Sequence, residues 1–336
     1  MKILAFESSC DDTCAAVVED GRKVLSSRVS SQTDTHALYG GVVPEIASRM
    51  HTEAVSRIAR MALEDARLTL DDIDAVAVTY GPGLIGALLI TLSFAKALAA
   101  SRGLPLIPVH HVRAHIAANY LAFPDLEPPF VALAASGGTS AFIHVPSYTE
   151  FHFLGGTRDD AAGESFDKVG RTLGLPYPAG AAMDRLAADG DPHAFTFPHP
   201  GFEDAPLDCS FSGLKTAVIN TVHHMEQKGE AVPAADLCAS YCRTVAEILV
   251  PRLMQAAEQT GVPTVCAGGG VAANSVLRRA LQEACDARHL RLCIPPLSYC
   301  GDNAAMVGAL AYYEYLAGHV AGPDLNAYAT LNVSTD

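Results

Sequence analysis

His111 and His115 stand four residues apart in the segment PVHHVRAH, at what reads as the start of a helix. On a helix that spacing puts both imidazoles on one face, as for the two histidines of H-E-x-x-H zinc proteases. Such a protease also needs a glutamate after the first histidine, and here Val112 follows His111 and Arg113 occupies the middle. Taken alone, the two rings are either metal ligands or a surface or capping pair. A third donor comes from the other end of the chain, where Asp302 and Asn303 open a helix equivalent, in the second half, to the one that carries the histidines. If two such halves face each other, Asp302 comes opposite the two rings. Two imidazoles and one carboxylate with open positions suit Fe(2+), with Zn(2+) second.

The elements that must position these residues follow one grammar, used twice. Residues 2–6 and 15–18 read as short strands around the polar turn ESSCDDT, and a third strand, 24–29, follows Gly21. Apolar residues at helical spacing (Ile46, Val55, Ile58, Ala59, Ala62) predict a helix over 45–67. AVAVTY (75–80) is a strand, Gly81-Pro82-Gly83 turns it into a helix over 84–101, and 104–109 is a strand leading into a helix over 111–121. In the second half FVALAA (130–135), the turn SGGT and AFIHV repeat the opening hairpin. VPTVCA (262–267), Gly268-Gly269-Gly270, a helix over 272–288, a strand over 290–294 and a last helix from about Asp302 repeat the rest. Such repetition predicts an α/β fold of two similar lobes: an N-terminal lobe over 1–125 and a C-terminal lobe over 126–301, with a helical insertion at about 157–260. The last helix, 302–318, is a candidate to pack back on the first lobe. In sheets of this kind ligands bind at the carboxyl ends of the strands, so a cleft between the lobes is the expected site.

The glycine turns carry a second strand of chemistry. Gly81 to Gly86 spells G-x-G-x-x-G, but a dinucleotide site also needs an acid about 20 residues on, and no Asp or Glu lies between Asp74 and Asp125. Close packing of a helix on a strand is the simpler reading. Ser136-Gly137-Gly138-Thr139 can cradle a phosphate on its backbone N–H groups, and Gly268–Gly270 followed by Asn274 at a helix start offers a second such place. Two of these turns in mirrored positions argue for a nucleotide. Asp11, Asp12, Asp167 and Asp184 lie near Gly- or Ser-rich segments, where acids are either solvated turn residues or contacts to ribose and metal. Neither a P-loop nor a G-x-S-x-G elbow is present.

The composition narrows the class. In 336 residues, 49% are hydrophobic, enough for a large core and two domains. A formal charge of -14 argues against nucleic-acid binding by an all-basic surface. The arginines at 49, 57, 60 and 67 and at 278, 279, 288 and 291 are solvated faces or local phosphate contacts. The two long uncharged stretches, 75–95 and 128–149, are broken by Gly and Pro, which argues against a membrane span. Nine Cys without a C-x-x-C pair argue against a disulfide framework. A soluble, cytoplasmic enzyme is the expectation.

In order along the chain, ESSCDDT, YGGVVPEIASRMH, YGPGLIGALL, PVHHVRAH, ASGGTS, DDAAGESFDKVGR, SFSGLK, AGGGVAANSVLR and CGDNAAM resemble the TsaD family over about residues 1–333. These are the tRNA N6-adenosine threonylcarbamoyltransferases, once catalogued as O-sialoglycoprotein endopeptidases. The resemblance implies the duplicated actin/hexokinase-like (ASKHA) fold. It also implies transfer of a threonylcarbamoyl group from its adenylate to N6 of the adenosine that follows the anticodon, in tRNAs reading ANN codons. It assigns His111, His115 and Asp302 to the metal, Fe(2+), and Ala134, Ala135, Ser136, Gly137, Gly138, Asp167, Gly180, Asp184 and Asn274 to substrate. Partners by the same resemblance are the tRNA anticodon loop, TsaB and TsaE, with TsaC supplying the adenylate. N6 of adenosine is a poor nucleophile, so a base helps, and Asp11 is the candidate. A sugar or acyl kinase of the same superfamily and a metallopeptidase are the alternatives. The sequence departs from the family pattern at Thr139, Asp12 and Ala179.

Overall fold

Five strands of the first half form one mixed sheet. In the computed structural model, which describes residues 1–335, β1 (Lys2–Glu7), β2 (Asp12–Glu19) and β3 (Lys23–Ser31) lie side by side, each antiparallel to the next. After α1 (Thr33–Ala37) and α2 (Pro44–Ala66), β4 (Ala75–Gly81) pairs parallel to β1. Then α3 (Ile85–Arg102) crosses back to β5 (Leu106–His110), parallel to β4, and the chain enters α4 (His111–Ala122) directly. The strand order is β3-β2-β1-β4-β5.

The second sheet repeats that order. Successive strands β6 (Phe130–Ala135), β7 (Ser140–Ser147) and β8 (Glu150–Gly156) are followed by α5 (Ala162–Thr172), α6 (Gly180–Ala187), α7 (Ser212–Gln227) and α8 (Ala234–Thr260). Next come β9 (Thr264–Gly268), α9 (Ser275–Asp286) and β10 (Arg291–Cys293), in sheet order β8-β7-β6-β9-β10. Three consecutive strands side by side, then two crossover strands parallel to the first, is the arrangement of both sheets. β8 is an element that the sequence did not announce: its run EFHFLGG alternates only weakly and ends in two glycines. The helix expected over 272–288 starts later, because a short 3-10 turn at Gly270–Ala273 comes first and Asn274 then caps α9.

The chain forms two compact units. Met1–Pro128, Val145–His152 and residues 295–335 make the first; Pro129–His144 and Phe153–Ile294 make the second. The final helix α10 (Ala304–Leu316) belongs to the first unit, packed on β1, β2 and α4. Gly308 permits this approach, since a Cβ there would lie 2.6 Å from Val18 Cγ2. β1 is buried from Ile3 to Glu7 because helices cover both its faces. Leu4 and Phe6 meet Ile58, Leu88 and Leu92 of α2 and α3, while Ala5 faces α10. The core of the second unit gathers Leu133, Phe142, Phe166, Met183, Leu249 and Leu253. Among the described residues one helix, α3, is long and apolar enough to cross a membrane by length and composition. Its Leu88, Leu92, Ala95 and Ala99 lie in the first core. All nine cysteines are free thiols, and all but Cys10 are buried.

Candidate functional site

The join between β5 and α4 has no loop, so the first turn of the helix must be capped by the strand's last residue. That residue is His110, whose Nδ1 accepts the N–H groups of Val112 (3.2 Å) and Arg113 (3.4 Å). Burial holds His110 down at about 3, as the neutral ring a cap requires. With capping done by His110, His111 occupies the first helical position and His115 lies one turn on, 2% exposed. Their rings stand edge to face, 4.6 Å apart. Asp302 comes from the bend before α10, where Asn303 accepts Met306 N–H at 2.9 Å. Its Oδ1 lies 3.1 Å from His115 Nε2 and 3.8 Å from His111 Nε2.

One ligand atom from each of the three residues falls within 4.8 Å of the others. Ligand atoms at about 2.1 Å from a shared ion sit about 3–3.5 Å from one another, so the trio is close to the spacing a metal imposes. Two imidazoles and a carboxylate are also the donor set of a borderline divalent ion. Burial works against charge on His111, but the carboxylates of Glu7 and Asp302 outweigh it and lift the ring to about 9. Burial likewise opposes ionisation of Asp302, and the two histidines overcome it, holding the carboxyl at about 2. Asp302 does not reach the histidines from the other lobe, as the duplication suggested. It belongs to their own unit, because α10 packs against α4.

Two further residues belong to this group; both lie in the ESSCDDT segment, where the sequence reading singles out only Asp11 and Asp12. Glu7, at the end of β1 and fully buried, lies 3.1 Å from His111 Nδ1 through Oε2. Ser9 places its Oγ 3.1 Å from the same nitrogen. The one available signal is an acid ending an apolar strand just before a serine pair. The Gly81-Pro82-Gly83 turn is what holds Ser9 in place: Leu84 donates its N–H to Ser9 O at 2.7 Å, and a Cβ on Gly83 would lie 2.6 Å from that oxygen. Close packing therefore accounts for these glycines.

In the second unit, Ala134 and Ala135 are buried at the end of β6, and Ser136–Thr139 turn the chain, with Ser136 N–H on Thr139 O at 2.8 Å. Gly163 and Glu164 donate to Ser136 O and Gly137 O, tying this turn to the start of α5, which carries Asp167. Asp167 accepts Ala179 N–H at 2.7 Å, just ahead of Gly180. From α6, Asp184 Oδ1 accepts Asn274 Nδ2 (2.9 Å), Ser275 N–H (3.0 Å) and Ser275 Oγ (2.9 Å). Asn274 in turn caps α9 by accepting Leu277 N–H. Gly269, at φ +93, lies against Ala135 O, where a Cβ has no room. Gly137, Gly138, Gly180 and Gly270 are different, because nothing lies within 4 Å of a Cβ built on them. Asp11 sits half-buried in the turn before β2, its carbonyl accepting Gln32 N–H. Among the described residues its carboxylate makes no ion pair with His111 or His115. The arginines of α2 are largely paired along its surface, Arg49 with Glu45 and Arg60 with Glu64.

The profile of the TsaD family, described as tRNA N6-adenosine threonylcarbamoyltransferase, matches residues 23–309. The chain belongs to the TsaD family. It is therefore a transferase by family, and curated TsaD relatives match it end to end. The tRNA N6-adenosine threonylcarbamoyltransferase of Clostridium botulinum (strain 657 / Type Ba4) is 49% identical over 333 residues, 99% of this chain and 98% of the relative. That of Clostridium perfringens (strain 13 / Type A) is 50% identical over 331 residues, 98% of each. Among solved structures, component A of the Acidaminococcus fermentans (R)-2-hydroxyglutaryl-CoA dehydratase aligns with a TM-score of 0.54 at 17% identity, covering 94% of this chain and 99% of that one. HypF of T. kodakarensis aligns at 0.62 and 16%, covering 96% and 49%. At that identity the likeness concerns the fold alone, and the fold is the duplicated actin/hexokinase-like one.

Proposed function

We propose that the chain transfers the threonylcarbamoyl group of L-threonylcarbamoyladenylate to N6 of adenosine 37 in tRNAs reading ANN codons, releasing AMP. The observation that carries this reading is the match at 49% identity over 99% of the chain to a protein named for that reaction. The grouping of His111, His115 and Asp302 supports it, since the transfer reading gives these residues a task and a kinase reading does not.

A divalent metal on His111, His115 and Asp302, Fe(2+) by the family resemblance with Zn(2+) as the alternative, would supply Lewis-acid chemistry to the carbamoyl group. The open turn at Ser136, Gly137 and Gly138, after Ala134 and Ala135, is proposed to hold the adenylate phosphate on its N–H groups. Asp167, Gly180, Asp184 and Asn274 are proposed to hold the nucleoside. All three bonds to Asp184 land on Oδ1, which leaves Oδ2 for a ribose hydroxyl. Bound this way, the carbamoyl carbon is held for attack by the N6 amine. The N6–C bond forms, the bond to the AMP oxygen breaks with its electrons going to the phosphate, and the N6 proton passes to a base, for which Asp11 is proposed. An anticodon loop suits such a site because its bases can be splayed out of the stack. TsaB and TsaE are the proposed partners, TsaC the source of the adenylate, and the cytoplasm the compartment.

The test is transfer of labelled threonine to an ANN-decoding tRNA supplied with ATP, bicarbonate, TsaC, TsaB and TsaE, with digestion to nucleosides at the end. Label in threonylcarbamoyladenosine only when this chain is present is the expected result. No label, with the partners active beside another TsaD, would overturn the reading.

A further inference from the structure

We propose that Glu7 is a positioning residue for the metal site, holding His111 in the tautomer whose Nε2 lone pair faces the ion. The inference rests on the metal reading above and goes beyond its three ligands. Glu7 is fully buried, and its two oxygens take three bonds: Oε1 accepts Ser9 N–H at 2.5 Å, while Oε2 accepts the Thr79 hydroxyl at 2.5 Å and faces His111 Nδ1 at 3.1 Å. An ionised carboxylate can only accept, so the imidazole nitrogen against it must be the one that carries hydrogen. The hydrogen that a metal displaces is then the one on Nε2, on the side of Asp302. The opposite tautomer would set a lone pair against a buried carboxylate and a hydrogen where the ion binds. Carboxylates behind ligating histidines act in this way in metal sites generally.

The two histidines differ in this respect. Among the described residues the Nδ1 atom of His115 is buried without a hydrogen-bond partner. Glu7 thus orients one ligand only, and Thr79 on β4 and Ser9 before β2 lock Glu7 itself into one rotamer. A Gln at position 7 cannot serve all three donors. Its oxygen accepts at one end only, and its NH2 group meets either Ser9 N–H or His111 Nδ1.

The experiment is titration of Co(2+) into metal-free full-length protein against a competing chelator, with thermal midpoints measured in parallel. Glu7→Gln is expected to bind Co(2+) about 10- to 100-fold more weakly than the wild type, with an altered cobalt absorption spectrum. Thr79→Val, which keeps the Glu7–His111 contact, is expected to lose less. Equal affinity and an unchanged spectrum in folded Glu7→Gln would overturn the proposal. If Glu7→Gln does not fold, proton NMR of the Co(2+)-loaded wild type decides. A paramagnetically shifted, slowly exchanging Nδ1–H resonance from His111 is expected, and its absence overturns the role. A wild type that takes up no Co(2+) sinks the metal site itself, and the role of Glu7 with it.

Discussion

His115 and Asp302 meet at 3.1 Å, Nε2 to Oδ1, although they come from distant parts of the chain. The contact exists because α10 packs against α4 within one unit, and their first turns start side by side. Replacing His111 and His115 together by Ala is expected to leave the purified protein without stoichiometric metal, read by elemental mass spectrometry. Asp302→Asn, which keeps the size and removes the charge, should weaken uptake in the same assay. Metal content unchanged in the double variant would refute the site.

The glycines divide into those that pack and those that face open space, and the two kinds should respond differently to alanine. Gly137→Ala adds a Cβ where nothing lies within 4 Å, so stability should stay within about 0.5 kcal/mol. The same methyl enters the proposed phosphate turn, and AMP affinity by calorimetry should fall at least about tenfold, or ~1.4 kcal/mol. Gly83→Ala instead drives a Cβ into Ser9 O. That overpacking should cost about 1–3 kcal/mol in denaturant unfolding. AMP binding unaffected in folded Gly137→Ala would remove that turn from the nucleotide site.

Asn274 does two jobs, capping α9 through Leu277 N–H and bonding Asp184. Its replacement by Ala is expected to cost about 1–2 kcal/mol and to loosen the first turn of α9. Hydrogen exchange of Leu277 and Arg278 amides should report the loosening. Protection equal to wild type there would show that Asn274 is dispensable as a cap.

Acid should reveal the anchoring of α7. Burial pushes the Asp159 carboxyl up, but the Ser210 hydroxyl and the Phe211 and Ser212 N–H groups bond it and win, so it lies below its usual 3.8. A carboxyl lowered in the folded state adds stability that is complete above its unfolded value and disappears as pH falls through the folded one. Wild type should therefore exceed Asp159→Asn by about 1 kcal/mol at pH 7, and the two curves should converge below about pH 4. A constant gap from pH 7 to 3 would assign the difference to something other than this carboxylate.

Much of this was legible in the sequence because it is written in local patterns. Strand and helix periods, the Gly turns and the repeated order of elements predicted the duplicated sheets, and they depend only on neighbours along the chain. The pair His111 and His115 was likewise visible, because helical spacing alone puts the two rings together. Motif order was enough to place the chain in its family. Only the tertiary structure decided which unit supplies Asp302, because helix packing, and not sequence distance, brings α10 to α4. It also picked out Glu7, which in the sequence is one acid at a strand end, and whose three bonding partners come from β4, α4 and the turn after β1. The same holds for the glycines: their letters are identical, and only the atoms around each show that Gly83 and Gly269 are crowded while Gly137 and Gly138 are open. Contacts between residues distant in sequence leave no period to read, since each is fixed by the packing of whole elements.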